Sequence, residues 1–237
     1  FDFCVCQTAD FGSLFGTGQV GDAFDPAQEV RRIFLVSELL RDRSEGGIEV
    51  ENSELFAPYR PLFAAAGIPV TLRADMDAVL WAKLLLNLNN PINALSGIPL
   101  RTELSQRSYR RCVAAAQREA LAVGQRAGRI AARLTPLPPQ WIPRLLDVPD
   151  VVFRVAASSM LAIDPLARSS MWEDLEAGRV TEIDWINGEV VRLGRENGVP
   201  TPVNEKLVAL IRDAERGGRR DWTGPELADM LTGRRTP

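Results

Sequence analysis

Histidine is absent from the 237-residue sequence, and cysteine is scarce, at three residues. Without histidine, catalytic triads built on imidazole, zinc sites with histidine ligands and acid–base catalysis by imidazole are excluded, and no metal site is expected. Any proton transfer must therefore use lysine, a carboxylate, tyrosine or cysteine. The odd cysteine count and the lack of a recognisable signal peptide favour a reducing cytoplasm as the location.

A strong charge of one sign is also lacking, since 28 basic residues are balanced by 31 acidic ones and the net charge is -3. This balance argues against a nucleic-acid-binding protein and provides no polybasic patch for a membrane surface. Long apolar runs of transmembrane length are missing as well. Because 46% of the residues are hydrophobic, the chain can bury a packed core, and its expected partners are small molecules or other subunits.

Strand-like segments occur only in the first third of the chain, where GGIEVE and PVTLR each predict a short strand and ELFAPYRPLFAAAG predicts a helix that stops at Gly67. Asp75 is the expected N-cap of a long apolar helix that runs toward Gly97 and is kinked by Pro91. A second long helix is expected over residues 103–127. The prolines of LTPLPPQWIPRLLDVPD then limit the chain to turns and short helical pieces.

The C-terminal part of the sequence continues the helical pattern. A helix starting near Thr181 is expected to end at Asn197-Gly198, and its apolar face consists of Ile183, Ile186, Val190, Val191 and Leu193. A last core helix is expected over residues 204–215. Residues 217–237 are expected to form a loosely ordered tail, in which PELADML is a candidate for one short helix. The sequence therefore predicts a mainly α protein whose helical domain covers residues 52–216.

The first 43 residues show neither alternation nor a helical stripe, so residues 1–51 are interpreted as an irregular segment that ends in a strand. Gly16-Thr17-Gly18-Gln19-Val20-Gly21 satisfies the spacing GxGxxG of dinucleotide-binding turns. That motif requires a preceding strand and a following helix, but FGSLF is a poor strand and Pro26 follows soon after. An irregular glycine loop is therefore favoured over a nucleotide site.

A lysine and several asparagines interrupt the apolar stretch WAKLLLNLNNPINALSG, residues 81–97. Lys83, Asn87 and Asn90 stand at helical positions i, i+4 and i+7, so they project from one face while the leucines project elsewhere. One interpretation is a buried site in which an ammonium polarises a ligand and amides orient it. The equally weighted alternative is that Lys83 reaches solvent and the asparagines satisfy backbone carbonyls freed by Pro91.

The second polar stretch is SSMWEDLEAGRVTEIDWING, residues 169–188. Ser170-x-x-Glu173 and Thr181-x-x-Asp184 have the spacing of helix starts, and this is a sufficient structural reason for these residues. A helix N-terminus with a hydroxyl also suits a substrate carboxylate. The capping interpretation and the binding interpretation are compatible, and both stay open.

At these two stretches the sequence resembles the ketopantoate reductase (2-dehydropantoate 2-reductase) family, from about Gly46 to Glu215. KLLLNLNNPINALSG is similar to the family's lysine motif, and SSMWEDLEAGRVTEIDWING matches its second motif nearly residue for residue. The resemblance implies the helical C-terminal domain of a two-domain reductase like 6-phosphogluconate dehydrogenase, preceded here by a short β remnant of the N-terminal Rossmann domain. Nothing before Gly46 resembles that domain, so the chain is expected to be N-terminally truncated and inactive by itself.

The resemblance also implies a reaction, the NADPH-dependent reduction of 2-dehydropantoate to pantoate for pantothenate synthesis. The family's general acid corresponds to Lys83, and its glutamate that binds substrate and supports the lysine corresponds to Glu182. The resemblance assigns substrate binding to Asn87, Asn90 and Ser170. The family commonly places its second asparagine eight residues after the lysine, whereas Asn90 follows Lys83 by seven. NADP is expected to bind mostly through the missing domain, so no cofactor residue is assigned.

Two other functions are compatible with the same residues. The first alternative is a non-catalytic helical module, such as a dimerising remnant that retains the site residues. The second is a related reductase of another 2-keto acid. A reading frame that extends upstream into a strand and GxGxxG would separate enzyme from remnant. Helical domains of this size often pair through apolar faces, so a homodimer is a further expectation.

Overall fold

The computed structural model of the chain describes residues 33–36, 47–54, 56–67, 69–162 and 164–233. The GxGxxG match at 16–21 lies outside these residues. The chain divides into two compact units, of which one ends at Met76 and the other begins at Asp77.

The first unit holds a three-stranded sheet in the order β1-β2-β3, with strands β1 (Ile33–Val36), β2 (Gly47–Glu51) and β3 (Val70–Arg73). Strand β1 pairs antiparallel with β2, and β2 pairs parallel with β3. Helix α1 (Arg60–Ala65) connects β2 to β3 and is followed by Gly67 with a φ of 70°. The two predicted strands and the stop at Gly67 are confirmed. Strand β1 lies in the segment that the sequence analysis interprets as irregular. It is not predicted, because a run of four apolar residues is too short to show the alternation of a strand.

Among its described residues, the second unit contains helices and connections but no strand, and its first helix begins at Met76, one residue before the division. Its α-helices are α2 (Met76–Asn87), α3 (Asn90–Ser96), α4 (Leu100–Leu104), α5 (Arg107–Arg126), α6 (Ile142–Leu146), α7 (Asp150–Ala156), α8 (Ser170–Glu176), α9 (Ile183–Glu196), α10 (Pro202–Ala214) and α11 (Gly224–Thr232). Short 3₁₀ helices cover Pro139–Trp141 and Ser158–Leu161. The mainly α fold predicted from sequence is therefore confirmed.

One continuous apolar core joins these helices. The core includes small residues of α5 such as Ala116 and Ala120, Leu85 of α2, Leu88 of the following turn and Ile92 of α3. Helix α5 approaches α2 closely enough for Gln117 to donate to the Leu85 carbonyl at 2.9 Å. Gly124 of α5 is required for this approach, because an added Cβ would lie 2.5 Å from Nε1 of Trp81 on α2. The core consequently fixes the helix that carries Lys83.

The long helix expected from Asp75 to Gly97 is two helices rather than one kinked helix. Helix α2 ends at Asn87, and α3 begins at Asn90 with Pro91 in its first turn. Proline is well tolerated in a first helical turn, where its missing N–H has no intrahelical partner to lose. Gly97 ends α3 with a φ of 65°, as predicted from the sequence.

The two predicted N-caps are each displaced from the expected residue. Ser169, not Ser170, caps α8, because its hydroxyl accepts a hydrogen bond of 3.2 Å from the amide of Trp172. Glu182 occupies the N-cap position of α9, and Thr181 lies one residue earlier. The predicted apolar face of α9 is buried and its end at Asn197-Gly198 is confirmed.

Residues 217–233, the described part of the segment 217–237, differ from the loosely ordered tail that the sequence predicts. Helix α11 buries Leu227 and Leu231 in the core and starts with a capping box between Thr223 and Glu226. The preceding Trp222 is held at both backbone groups: its amide donates to Leu95 (3.0 Å) and its carbonyl accepts from the Tyr109 hydroxyl (2.8 Å). The apolar period of PELADML therefore packs against the domain instead of remaining in solvent.

None of the described helices is long and apolar enough to cross a membrane.

Candidate active site

Lys83 lies on α2 and is only 4% exposed. Its Nζ atom is buried too, so the alternative in which the side chain reaches solvent is wrong. Leu85 on the same helix is buried in the core, while Leu84 and Leu86 are half-buried against it. Placing an ammonium in such a helix is costly unless a nearby group compensates its charge.

The compensating group lies at the start of α9. Burial raises the pKa of the half-buried Glu182 carboxyl, Asp174 raises it further, and the positive charge of Lys83 lowers it. Lys83 and Glu182 therefore lie within range of direct charge interaction although α2 and α9 are distant in sequence. The two residues predicted to be catalytic are brought together in the helical unit.

The residue before Glu182 anchors the start of α9. The backbone amide and the hydroxyl of Thr181 both donate to Oε1 of Glu215, each at 2.8 Å. The same hydroxyl accepts a hydrogen bond of 3.3 Å from the amide of Ile183. Because Glu215 follows directly on α10, this contact fixes the backbone that carries Glu182.

Asn87 stands one turn after Lys83 and is 6% exposed. Its Oδ1 atom is buried and has no hydrogen-bond partner within the part of the chain that the structure describes. A buried amide oxygen without a partner is costly, which makes it a candidate contact for a ligand. Asn87 thus adds unused hydrogen-bonding capacity beside the ammonium.

Asn90 does not continue the stripe of Lys83 and Asn87, because it belongs to the separate helix α3. Its side chain is half-buried, and its backbone carbonyl accepts a hydrogen bond of 3.2 Å from the Ser169 hydroxyl. The break between α2 and α3 therefore removes the simple helical spacing on which the sequence interpretation depended.

Ser170 is the first residue of α8 and is half-buried. The neighbouring Ser169 is buried, and its amide donates a hydrogen bond of 2.9 Å to Oδ1 of Asn93 on α3. The two polar stretches recognised in the sequence are thus joined by hydrogen bonds between α3 and the start of α8.

Sequence reasoning did not single out Asn93, Glu103 and Asp174. Asn93 stands one helical turn after Asn90, a spacing that offered a signal. Glu103 gave no signal, because the stretch RTEL is typical of an exposed helix face, yet the residue is 0% exposed. Burial raises the pKa of Glu103 to about 8, although the hydrogen bond from Asn93 lowers it.

Together, a buried ammonium, a carboxylate that attracts it and an amide with an unused acceptor can bind a small polar molecule and donate a proton to a developing oxyanion. In the described part of the chain, no cluster of cysteine and carboxylate side chains is suited to hold a metal ion.

A family model described as ketopantoate reductase PanE/ApbA C terminal matches residues 75–215, which is more than half of the chain. A curated 2-dehydropantoate 2-reductase from Caulobacter vibrioides is 32% identical over 176 residues, covering 73% of this chain and 53% of the relative. The chain thus spans about half the length of the curated relatives it matches.

Solved structures show the same fold. A PanE/ApbA family ketopantoate reductase from Ralstonia eutropha JMP134 is similar with a TM-score of 0.59 and 27% identity, over 78% of this chain and 58% of that one. A D-mandelate dehydrogenase solved with NADH and anilino(oxo)acetate has a TM-score of 0.56 at 20% identity, over 73% of this chain and 68% of that one. At that identity the second likeness concerns the fold alone.

Proposed function

Because the chain belongs to the ketopantoate reductase family through its C-terminal domain, we propose that it serves the NADPH-dependent reduction of 2-dehydropantoate to pantoate. The observation that carries the proposal is the buried ammonium of Lys83 within charge range of Glu182. A helical core requires neither charge, because an apolar side chain at position 83 would be buried without the desolvation penalty of an ammonium.

Lys83 is the general acid in this proposal. When the carbonyl carbon of the keto acid is reduced, its oxygen becomes an alkoxide, and the Nζ of Lys83 donates a proton to it. NADPH supplies the hydride when it is bound. An ammonium shielded from water stabilises this developing negative charge more strongly than it would in solvent, because the local dielectric is low.

Glu182 keeps Lys83 charged and oriented between turnovers. The positive charge of Lys83 lowers the pKa of Glu182, which supports an electrostatic interaction between the two groups. The opposing increase from burial and from Asp174 leaves Glu182 with a pKa above its ordinary value. This carboxyl is thus suited to return a proton to the lysine.

Asn87 and Ser170 bind the substrate in this proposal, and Asn90 contributes from the first turn of α3. The Oδ1 atom of Asn87, which has no hydrogen-bond partner among the described residues, is suited to accept a hydrogen bond from a substrate hydroxyl. The glycine-rich stretch at 16–21 lies outside the described residues, so no side chain is assigned to the nucleotide.

The test is a steady-state assay of the native gene product with NADPH or NADH and a panel of 2-keto acids that includes 2-dehydropantoate. The proposal predicts the highest kcat/KM for 2-dehydropantoate with NADPH. A preference for another 2-keto acid would contradict the substrate assignment, and a lack of turnover with the whole panel would favour a non-catalytic module.

A further inference from the structure

A fully buried polar chain links three helices beside the candidate site. Glu103 on α4 and Asn93 on α3 are both 0% exposed. Nδ2 of Asn93 donates to Oε2 of Glu103 at 2.7 Å and to the carbonyl of Ile98 at 2.9 Å. Both N–H groups of the Asn93 amide are thereby used within α3, α4 and the connection between them.

The remaining polar atom of the Asn93 side chain points to α8. Its Oδ1 accepts the backbone N–H of Ser169 at 2.9 Å. The Ser169 hydroxyl donates to the carbonyl of Asn90 and accepts from the amide of Trp172. Ser169 is thus held at its amide and its hydroxyl by α3 while it caps α8.

The orientation of the Asn93 amide is determined by its partners. The backbone N–H of Ser169 needs an acceptor. The carbonyl oxygen of Ile98 and Oε2 of Glu103 each accept a hydrogen bond from Asn93. Reversing the amide would set nitrogen against N–H and oxygen against oxygen. The Ser169 N–H and the Ile98 carbonyl therefore select the orientation in which Oδ1 faces Ser169, and Glu103 holds Nδ2 in that orientation by accepting from it.

We propose that Asn93, held in place by Glu103, is a positioning residue that holds Ser170 at the face of the site formed by Lys83 and Asn87. The proposal rests on the proposed function, in which Ser170 binds the keto acid. Ser170 directly follows Ser169, so its hydroxyl moves with the first turn of α8. Loss of the Asn93 contact leaves the Ser169 amide buried without an acceptor, and the turn must shift to satisfy it.

The expected kinetic signature separates positioning from stability. Asn93→Ala and Glu103→Leu should each raise KM for 2-dehydropantoate about tenfold, the scale of one oriented hydrogen bond, while kcat changes much less. Glu103→Gln should restore KM to near the wild-type value, because its amide oxygen still accepts from Asn93.

Asn204→Ala is the matched control. Asn204 is also 0% exposed, and its side chain bonds with Asn187, Ala116 and Glu119 away from α8. Asn204→Ala should lower the free energy of unfolding, as Asn93→Ala does, but it should leave KM for 2-dehydropantoate unchanged. If Asn93→Ala does not fold, as judged by circular dichroism, Asn93→Ser replaces it.

Amide hydrogen exchange of the native gene product provides a readout that does not depend on turnover. The amides of Ser169 and Trp172 should exchange faster in Asn93→Ala than in wild type, with no change in Asn204→Ala. Faster exchange together with the KM increase supports the proposal.

Three results would overturn it: unchanged KM in Asn93→Ala with an active wild type, an equal KM increase in Asn204→Ala, or a loss confined to kcat. A wild-type protein that reduces no keto acid would overturn the proposed function itself, and the positioning role with it. The two failures are distinguishable, because the wild-type assay by itself tests the proposed function, whereas the positioning role is tested by comparing the variants with an active wild type.

Discussion

The positive charge of Lys83 on α2 lowers the pKa of Glu182 at the start of α9, against larger increases that arise from burial and then from Asp174. This interaction places one residue from each polar stretch of the sequence within range of the other's charge, and their joint role in one site stays a prediction. Because either charge alone would be unfavourable in this environment, the pair is the feature that most directly favours chemistry over packing.

Glu103 makes the stability of the domain depend on pH. Its pKa is raised by burial from 4.5 to about 8, so between these values the folded chain holds a proton that the unfolded chain has lost. Its stabilising contribution is complete below pH 4.5 and is lost as the pH rises to about 8, with a slope of up to about 1.4 kcal/mol per pH unit. Urea unfolding across this pH range should show a declining free energy of unfolding in wild type and a flatter dependence on pH in Glu103→Gln. Parallel profiles for the two proteins would contradict the assignment.

The Thr181–Glu215 contact should support catalysis through the position of Glu182. Glu215→Gln keeps one amide oxygen for the two donors of Thr181, whereas Glu215→Ala leaves the N–H of the buried Thr181 without its acceptor. We expect Glu215→Ala to lower the free energy of unfolding by about 1–3 kcal/mol and to reduce kcat/KM, with Glu215→Gln intermediate. Chemical denaturation and steady-state kinetics measure both effects. Wild-type values of both quantities in Glu215→Ala would show that the contact is dispensable.

Arg110 on α5 should be among the most sensitive positions for stability. Its guanidinium is fully buried, donates to the carbonyls of Leu104, Leu146 and Val148, and pairs with Asp150 at 2.9 Å. Arg110→Met leaves these acceptors without donors and should cost about 3–5 kcal/mol. The adjacent Arg111, which lies 3.6 Å from Asp147 at the surface, is the control.

Arg111→Met should change the free energy of unfolding by about 0.5 kcal/mol or less. Denaturant unfolding of the two variants provides the comparison. Equal effects at positions 110 and 111 would contradict the structural role assigned to the buried guanidinium.

Helix α11 should contribute to stability as part of the core. Leu231→Ala removes a buried side chain and should cost about 2–5 kcal/mol. The neighbouring Met230 is 44% exposed, so Met230→Ala should cost much less. Thermal melting distinguishes the two, and equal melting temperatures would mean that α11 is held loosely in solution.

Much of the fold was predictable because it follows from local patterns. The apolar period of α9, the glycine that ends α3 and the two short strands β2 and β3 are each encoded within a few residues. The resemblance at the two polar stretches supplied the candidate residues, and their catalytic and binding roles remain predictions.

The remainder depends on contacts between distant residues. Ser169 rather than Ser170 caps α8 because Asn93 and Asn90 hold its amide and hydroxyl from another helix. Glu103 is buried because α3 provides a donor for it, which no local pattern around RTEL indicates. The helix likewise breaks after Asn87 because Pro91 lies in the first turn of a new helix. Sequence spacing alone does not distinguish such a break from a kink within one helix.

Lys83 provides the most direct test, because the sequence contains only one other lysine, Lys206. Lys206 donates to the carbonyls of Met230 and Leu231 at the end of α11, so Lys206→Ala removes an ammonium with a structural role alone. The decisive measurement is kcat for 2-dehydropantoate reduction by the native gene product and these two variants. The account predicts a loss of about 100-fold or more in Lys83→Ala and near-normal turnover in Lys206→Ala. Near-normal turnover by Lys83→Ala would contradict the central claim that the buried ammonium is the general acid.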